Sequence, residues 1–179
     1  MSGPELTGSA AISTADGKLR GYSSSDYLGF GVAGGGDIND DGYDDIAAVA
    51  DGYSSGTVYL VHGPYTGTST ITSVVDATLS SVGTAAVALG EDLDGDGVGD
   101  VLVGAPGSYA TYGFLGPLSG TLSAGGADLT ISASQGYFGS SVAFVGDHDN
   151  DGVGDFAIGQ YGDNDGGTDA GAVQVFLGQ

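Results

Sequence analysis

Apolar residues come in short runs separated by stretches rich in Gly, Ser, Thr and Asp, and the same succession returns three times. A small-residue run (Gly31-Val32-Ala33, Ala86-Val87-Ala88, Ser141-Val142-Ala143) leads into an acidic loop, and a more apolar run follows it (Ile46 to Ala50, Val101 to Ala105, Phe156 to Gly159). After a Gly-rich turn comes a third run (Thr57 to Val61, 110–115, Ala172 to Leu177). A more polar fourth run closes the unit around Ala77 to Ser80 and Asp128 to Ser132. Runs this short, bounded by turn residues and enriched in Val, Ile, Thr and Tyr, predict strands. No stretch carries a helical period with caps. The expected class is all-β.

Four-stranded antiparallel units repeated along a chain describe the blades of a β-propeller. The expected divisions are 1–21 as a fourth strand that closes the last blade, 22–81 as repeat 1, 82–135 as repeat 2 and 136–179 as repeat 3. The basis is a recurring Gly-Pro signal: Gly63-Pro64-Tyr65-Thr66-Gly67-Thr68 and Gly116-Pro117-Leu118-Ser119-Gly120-Thr121 follow third strands, and Gly3-Pro4-Glu5-Leu6-Thr7-Gly8 opens the sequence. Propellers typically have about four to eight blades. Three blades in one chain therefore predict a homodimeric six-bladed ring, each split blade completed by the partner's N-terminal strand. The rival expectation is a piece of a longer propeller.

The acidic loops share a nine-residue pattern, Asp-x-Asp/Asn-x-Asp-Gly-x-x-Asp, beginning at Asp37, Asp92 and Asp147 and so repeating every 55 residues. Oxygen ligands at alternate positions, with a Gly to turn the backbone, suit a hard cation such as Ca²⁺. An EF-hand would need a bidentate Glu at place twelve, where this chain has Ala48, Val103 and Ile158. The loops are β-loops instead, and three Ca²⁺ per chain are expected.

Net charge is −21, with Lys18 and Arg20 the only Lys or Arg. Nucleic acid and anionic membranes are thereby poor partners, since nothing neutralises phosphate. Three calcium ions would cancel six of those charges. With 40% hydrophobic residues and ten tyrosines, the chain has the means to fold despite its acidity. It has no Cys, so metal is the obvious cross-link. Met1-Ser2-Gly3-Pro4 does not read as a signal peptide, and no apolar run reaches membrane-span length.

At these residues the chain resembles the FG-GAP repeats of integrin α-subunit propellers and their bacterial integrin-like relatives. Phe138-Gly139-Ser140-Ser141-Val142-Ala143 carries the opening motif, and Asp100-Val101-Leu102-Val103-Gly104-Ala105-Pro106 the closing one. Leu28-Gly29-Phe30-Gly31-Val32-Ala33 fills the first slot of repeat 1. Val82-Gly83 sits one residue out of register in repeat 2, and Gly159-Gln160-Tyr161 replaces the closing motif of repeat 3. The resemblance implies a calcium-stabilised propeller, extracellular or at the cell surface, concerned with adhesion or recognition of protein or glycan. It also implies the ligand set: side chains at places one, three, five and nine and the carbonyl at seven. These are Asp37, Asn39, Asp41, Tyr43 (carbonyl) and Asp45, then Asp92, Asp94, Asp96, Val98 (carbonyl) and Asp100. The third set is Asp147, Asp149, Asp151, Val153 (carbonyl) and Asp155. Asp40, Asp44, Glu91 and His148 are expected to face solvent. The neutral Asn39 predicts that the first site is the weakest.

No catalytic constellation is evident. Gly52-Tyr53-Ser54-Ser55-Gly56 matches a Gly-x-Ser-x-Gly elbow but lies between two strands, whereas the elbow needs a strand before and a helix after. His62 and His148 lack an evident nucleophile partner. Asp163-Asn164-Asp165-Gly166-Gly167-Thr168-Asp169 lacks the loop pattern and is expected to be a solvated turn. Tyr22, Tyr27, Tyr53, Tyr65, Tyr109, Tyr112, Tyr137 and Tyr161 lie in or near loops and blade junctions, where aromatics stack on ligands or, more commonly, fill the wedge between blades. The expectation is a non-enzymatic scaffold. The alternatives are a propeller-based hydrolase or lyase, or a structural fragment with no ligand beyond calcium.

Overall fold

The computed structural model describes residues 11–51, 56–80, 82–83 and 86–179. The Gly3–Gly8 run, Tyr53 and most of the Gly-x-Ser-x-Gly match lie outside them. Along the chain run β1 (Gly17–Arg20), β2 (Leu28–Gly34), β3 (Ile46–Ala50), β4 (Thr57–Val61), β5 (Gly67–Thr70) and β6 (Ala77–Ser80). They are followed by β7 (Ala86–Leu89), β8 (Val101–Ala105), β9 (Ala110–Phe114), β10 (Gly120–Ser123) and β11 (Leu129–Ser132). Last come β12 (Phe138–Gly146), β13 (Asp155–Gln160) and β14 (Ala172–Phe176). Among the described residues the helices are single 3-10 turns, and the class is all-β, as the sequence predicts.

Three antiparallel meanders carry the repeats: β2-β3-β4-β6, β7-β8-β9-β11 and β12-β13-β14. Their registers correspond. Ile46 pairs with Val61, Val101 with Phe114 and Phe156 with Phe176, so Val58, Thr111 and Val173 hold one position and Leu60, Gly113 and Val175 another. The second strand of each meander is its most buried element, which is why these strands read as near-continuous apolar runs rather than alternating ones.

One pairing is not visible in the hydrophobic pattern. β10 joins the outer edge of β6 in parallel, making the first sheet five-stranded, and β5 pairs in parallel with β1 in the same way. Gly17–Arg20 therefore stands in the position of a fourth strand, but it lies against β5 and not against β14.

Two apolar clusters sit between consecutive sheets. Ile38, Leu60, Leu79, Val101, Phe114 and Leu118 lie in the one between the first and second. Leu93, Leu102, Phe138, Phe156 and Ile158 lie in the one between the second and third. The second residue of each of the first two acidic loops, Ile38 or Leu93, is thus a core residue. Its counterpart His148 is exposed.

Candidate metal centre

Each acidic loop joins the first and second strands of its meander, and its backbone is bent by left-handed residues at places four and six. Asp40, Gly95 and Asn150 have φ of 60°, 78° and 63°, and Gly42, Gly97 and Gly152 have φ of 88°, 91° and 95°. Asp, Asn and Gly tolerate this region best, which accounts for the Gly in the pattern.

Within this bend the carboxylates face inward and accept backbone hydrogen bonds. Asp37 Oδ2 accepts from Gly42 N at 2.7 Å, Asp92 Oδ2 from Gly97 N at 2.7 Å and Asp147 Oδ2 from Gly152 N at 3.0 Å. The third-place oxygens of Asn39, Asp94 and Asp149 accept from the fifth-place amides at 3.1, 3.2 and 3.2 Å. Fifth-place Asp41, Asp96 and Asp151 accept from the amides of Tyr43, Val98 and Val153 at 2.9, 2.8 and 2.9 Å. In each of the clusters Asp92-Asp94-Asp96 and Asp147-Asp149-Asp151, one oxygen per residue lies within 4.8 Å of the others. In the first loop the Asn39 side-chain amide donates to Asp41 Oδ2 at 3.0 Å, tying the two residues together.

The ninth-place carboxylates behave differently. Asp45, Asp100 and Asp155 are buried, and both oxygens of each are held by backbone amides. One oxygen takes the N–H at place two, from Ile38, Leu93 or His148, at 2.9, 2.7 and 2.6 Å. The other takes an N–H beyond the third strand, from Gly63, Gly116 or Gly178, at 2.8, 2.8 and 2.9 Å. This carboxylate bolts the loop to the exit of the third strand. An oxygen with two lone pairs keeps one after accepting a single N–H.

Charge within the loops is balanced unevenly. At Asp37 and Asp92 desolvation pushes the carboxyl up, but the amides of Gly42 and Gly97 and their neighbours together hold it below the usual range. Asp155 is lowered chiefly by the Gly178 amide, against desolvation. Asp100 is pushed up to about 6, by desolvation first and by Asp94 and Asp92 in addition, against the amides of Leu93 and Gly116.

Consecutive loops are also joined. Gly99 N donates to Asp37 O at 2.8 Å, and 55 residues on Gly154 N donates to Asp92 O at 2.7 Å. Asp40, Asp44 and His148 are exposed as expected, but Glu91 is half-buried over Gly154. The 163–169 segment is a turn closed on itself, with Asp169 N donating to Asn164 Oδ1 at 2.8 Å. His62 Nδ1 lies 3.9 Å from Asp76 Oδ2.

The opposite strand ends carry a group of tyrosines. Tyr22, Tyr27, Tyr109, Tyr137 and Tyr161 are exposed rather than wedged between sheets. The reason is that the wedge is already filled by Ile38, Leu93, Leu118 and the strand residues. Of the other tyrosines among the described residues, Tyr112 packs against a core cluster, and Tyr65 is half-buried, its hydroxyl donating to Lys18 O at 3.1 Å. Tyr137 stacks on Tyr161 at 4.8 Å between ring centroids and meets Tyr109 edge-on at 6.1 Å. Tyr27, Tyr109 and Tyr137 hold φ between 51° and 55°, a left-handed conformation that bulky residues rarely adopt. At the foot of this face Gln160, the departure from Gly-Ala-Pro, donates to Gln135 O at 3.0 Å and accepts from Gln174 Nε2 at 2.9 Å.

The chain is 40% identical over 87 residues to integrin alpha pat-2 of Caenorhabditis briggsae, a match that covers 44% of this chain and 7% of that relative. Residues 37–103, which hold the first two acidic loops and the strands between them, match the FG-GAP-like repeat family that the motifs resemble.

Proposed function

We propose that the chain is a calcium-stabilised, integrin-like β-propeller module. It is non-enzymatic and offers a rigid surface for recognition of protein or glycan outside the cell or at its surface. The observation that carries this reading is the convergence of the first-, third- and fifth-place oxygens in loops at one register. An all-oxygen donor set of this kind fits Ca²⁺ rather than zinc, which favours His and Cys. Asp37, Asn39 and Asp41, Asp92, Asp94 and Asp96, and Asp147, Asp149 and Asp151 would hold three ions. The carbonyls of Tyr43, Val98 and Val153 and the free lone pairs of Asp45, Asp100 and Asp155 would complete the shells. The ion's contribution is charge: it neutralises carboxylates that otherwise repel one another.

Recognition falls to the opposite face. Exposed tyrosines give large contact area at low entropic cost, and the left-handed backbone at three of them is the kind of strain that collects at binding surfaces. Isothermal titration should show three calcium sites per chain, near the 10⁻⁴ to 10⁻³ M range of extracellular modules, the first weaker than the others. Protein-coated beads should retain matrix proteins or glycans from a panel only with calcium, and Tyr161→Ala should reduce retention without changing the titration. Absence of calcium heat together with a chelator-insensitive melting temperature would sink the calcium reading, and retention unaffected by Tyr161→Ala would sink the assignment of the recognition face.

A further inference from the structure

The two end faces of the array are bare where their inner counterparts are covered. Val173 and Val175 on β14 are 73% and 54% exposed, whereas Val58 and Leu60 at the same positions of the first sheet are fully buried. At the other end Val32 on β2 is 70% exposed, whereas its counterparts Val87 and Val142 pack against the clusters between sheets. The outer edge of β14 has no strand beside it among the described residues, although β6 and β11 fill that place in the other two meanders. β1 has the opposite deficit: it pairs with β5 as β6 pairs with β10, but among the described residues its other edge has no third strand beside it.

A cavity of about 300 Å³ accompanies the open edge, lined by Leu93, Leu115, Leu129, Ile131, Phe156 and Phe176. Between the first and second sheets the corresponding space holds Leu118, which follows Gly116-Pro117. Gly3-Pro4-Glu5-Leu6 repeats that signal, with one residue inserted.

We propose that the bare face of the third sheet is covered by the first sheet of a second copy of this chain, and that the second copy's Gly17–Arg20 adds to β14 as its fourth strand. Transferring the register of β6 on β4 and β11 on β9 puts Gly17 opposite Val175, Lys18 opposite Gln174 and Arg20 opposite Ala172. The contact is head-to-tail, so its closure sets the assembly. Two copies give six blades, within the range of propellers. The seam between copies departs from the inner seams at one point. Asp44 stands where Gly99 and Gly154 stand, and a Cβ at Gly99 already comes to 3.0 Å from the Asp37 carbonyl. It is the looser seam, where the ring opens first.

The chain lacks cysteine, so two single variants test the pairing without background. Antiparallel partners lie about 4.5–5.5 Å apart at Cα, within disulfide reach. Lys18→Cys protein mixed with Gln174→Cys protein should form a mixed disulfide between copies under mild oxidation, and neither alone should cross-link comparably. Light scattering in millimolar calcium should give twice the 17.4 kDa of one chain. Val175→Asp, at a site exposed in the single chain, should return the mass to one chain with the strand signature of circular dichroism unchanged. A folded species of one chain, a disulfide formed within one chain by the double variant, or a ladder of larger species would each overturn the proposal. None of these outcomes depends on whether the loops bind calcium.

Discussion

Asp100 is buried, and its carboxyl is raised to about 6 from 3.8 by desolvation first and by Asp94 and Asp92 in addition. Between those values the folded state holds a proton that the unfolded state does not, so stability falls as pH rises through 6. Asp37, Asp92 and Asp155 are lowered, so their contribution is present above the ordinary carboxylate pKa and is lost only below it. In chelator the melting temperature should therefore be higher near pH 5 than at pH 7, and Asp100→Asn should flatten that slope. In saturating calcium the trend should vanish, because the ion offsets the neighbouring charges. Asn39 makes a second test. Asn39→Asp replaces an amide donor to Asp41 by a like charge, so it should tighten calcium at the first loop and lower ion-free stability, read by titration and thermal melting respectively. The places-one-three-five clusters were legible in sequence because their oxygens converge through spacing within one loop. The bolt formed by Asp45, Asp100 and Asp155 was not, since its amides come from Gly63, Gly116 and Gly178, 18, 16 and 23 residues away.

At the scale of elements, the strands of the three meanders fall where alternating and apolar runs place them. β5 and β10 do not announce themselves. Gly67-Thr68-Ser69-Thr70 and Gly120-Thr121-Leu122-Ser123 are polar, exposed or half-buried edge strands, and their pairing is with another unit, a relation that periodicity cannot carry. The exposure of the tyrosines was equally hidden, because it depends on which side chains fill the wedge first. The second and third sheets approach closely at Gly104, where an added Cβ would meet the Gly139 carbonyl. Overpacking of a rigid seam costs about 1–3 kcal/mol. Gly104→Ala should be destabilised by that amount in urea unfolding, with calcium titration at the first loop unchanged.

For the whole molecule, calcium and folding are linked. A site that binds only the folded chain adds about 2.7 kcal/mol at a hundredfold excess over its dissociation constant. The melting temperature should accordingly climb with calcium concentration, and Asp96→Ala should remove about one site's share of that climb. The all-β class and the threefold unit were readable from composition and period. How the units meet was not, since the faces that distinguish inner from outer sheets bear similar apolar residues.

The hydrogen bonds that the Gly99 and Gly154 amides donate to the Asp37 and Asp92 carbonyls give the loops a mechanical meaning. Asp37 and Asp92 each offer a side chain to their own loop and a carbonyl to the next, so a stiffened loop grips its neighbour. In a chain held at its ends, force would pass along this line of loops before it loaded the strand ladders. With calcium the array should rupture as one event in a force-extension trace, and without it the units should peel away one at a time.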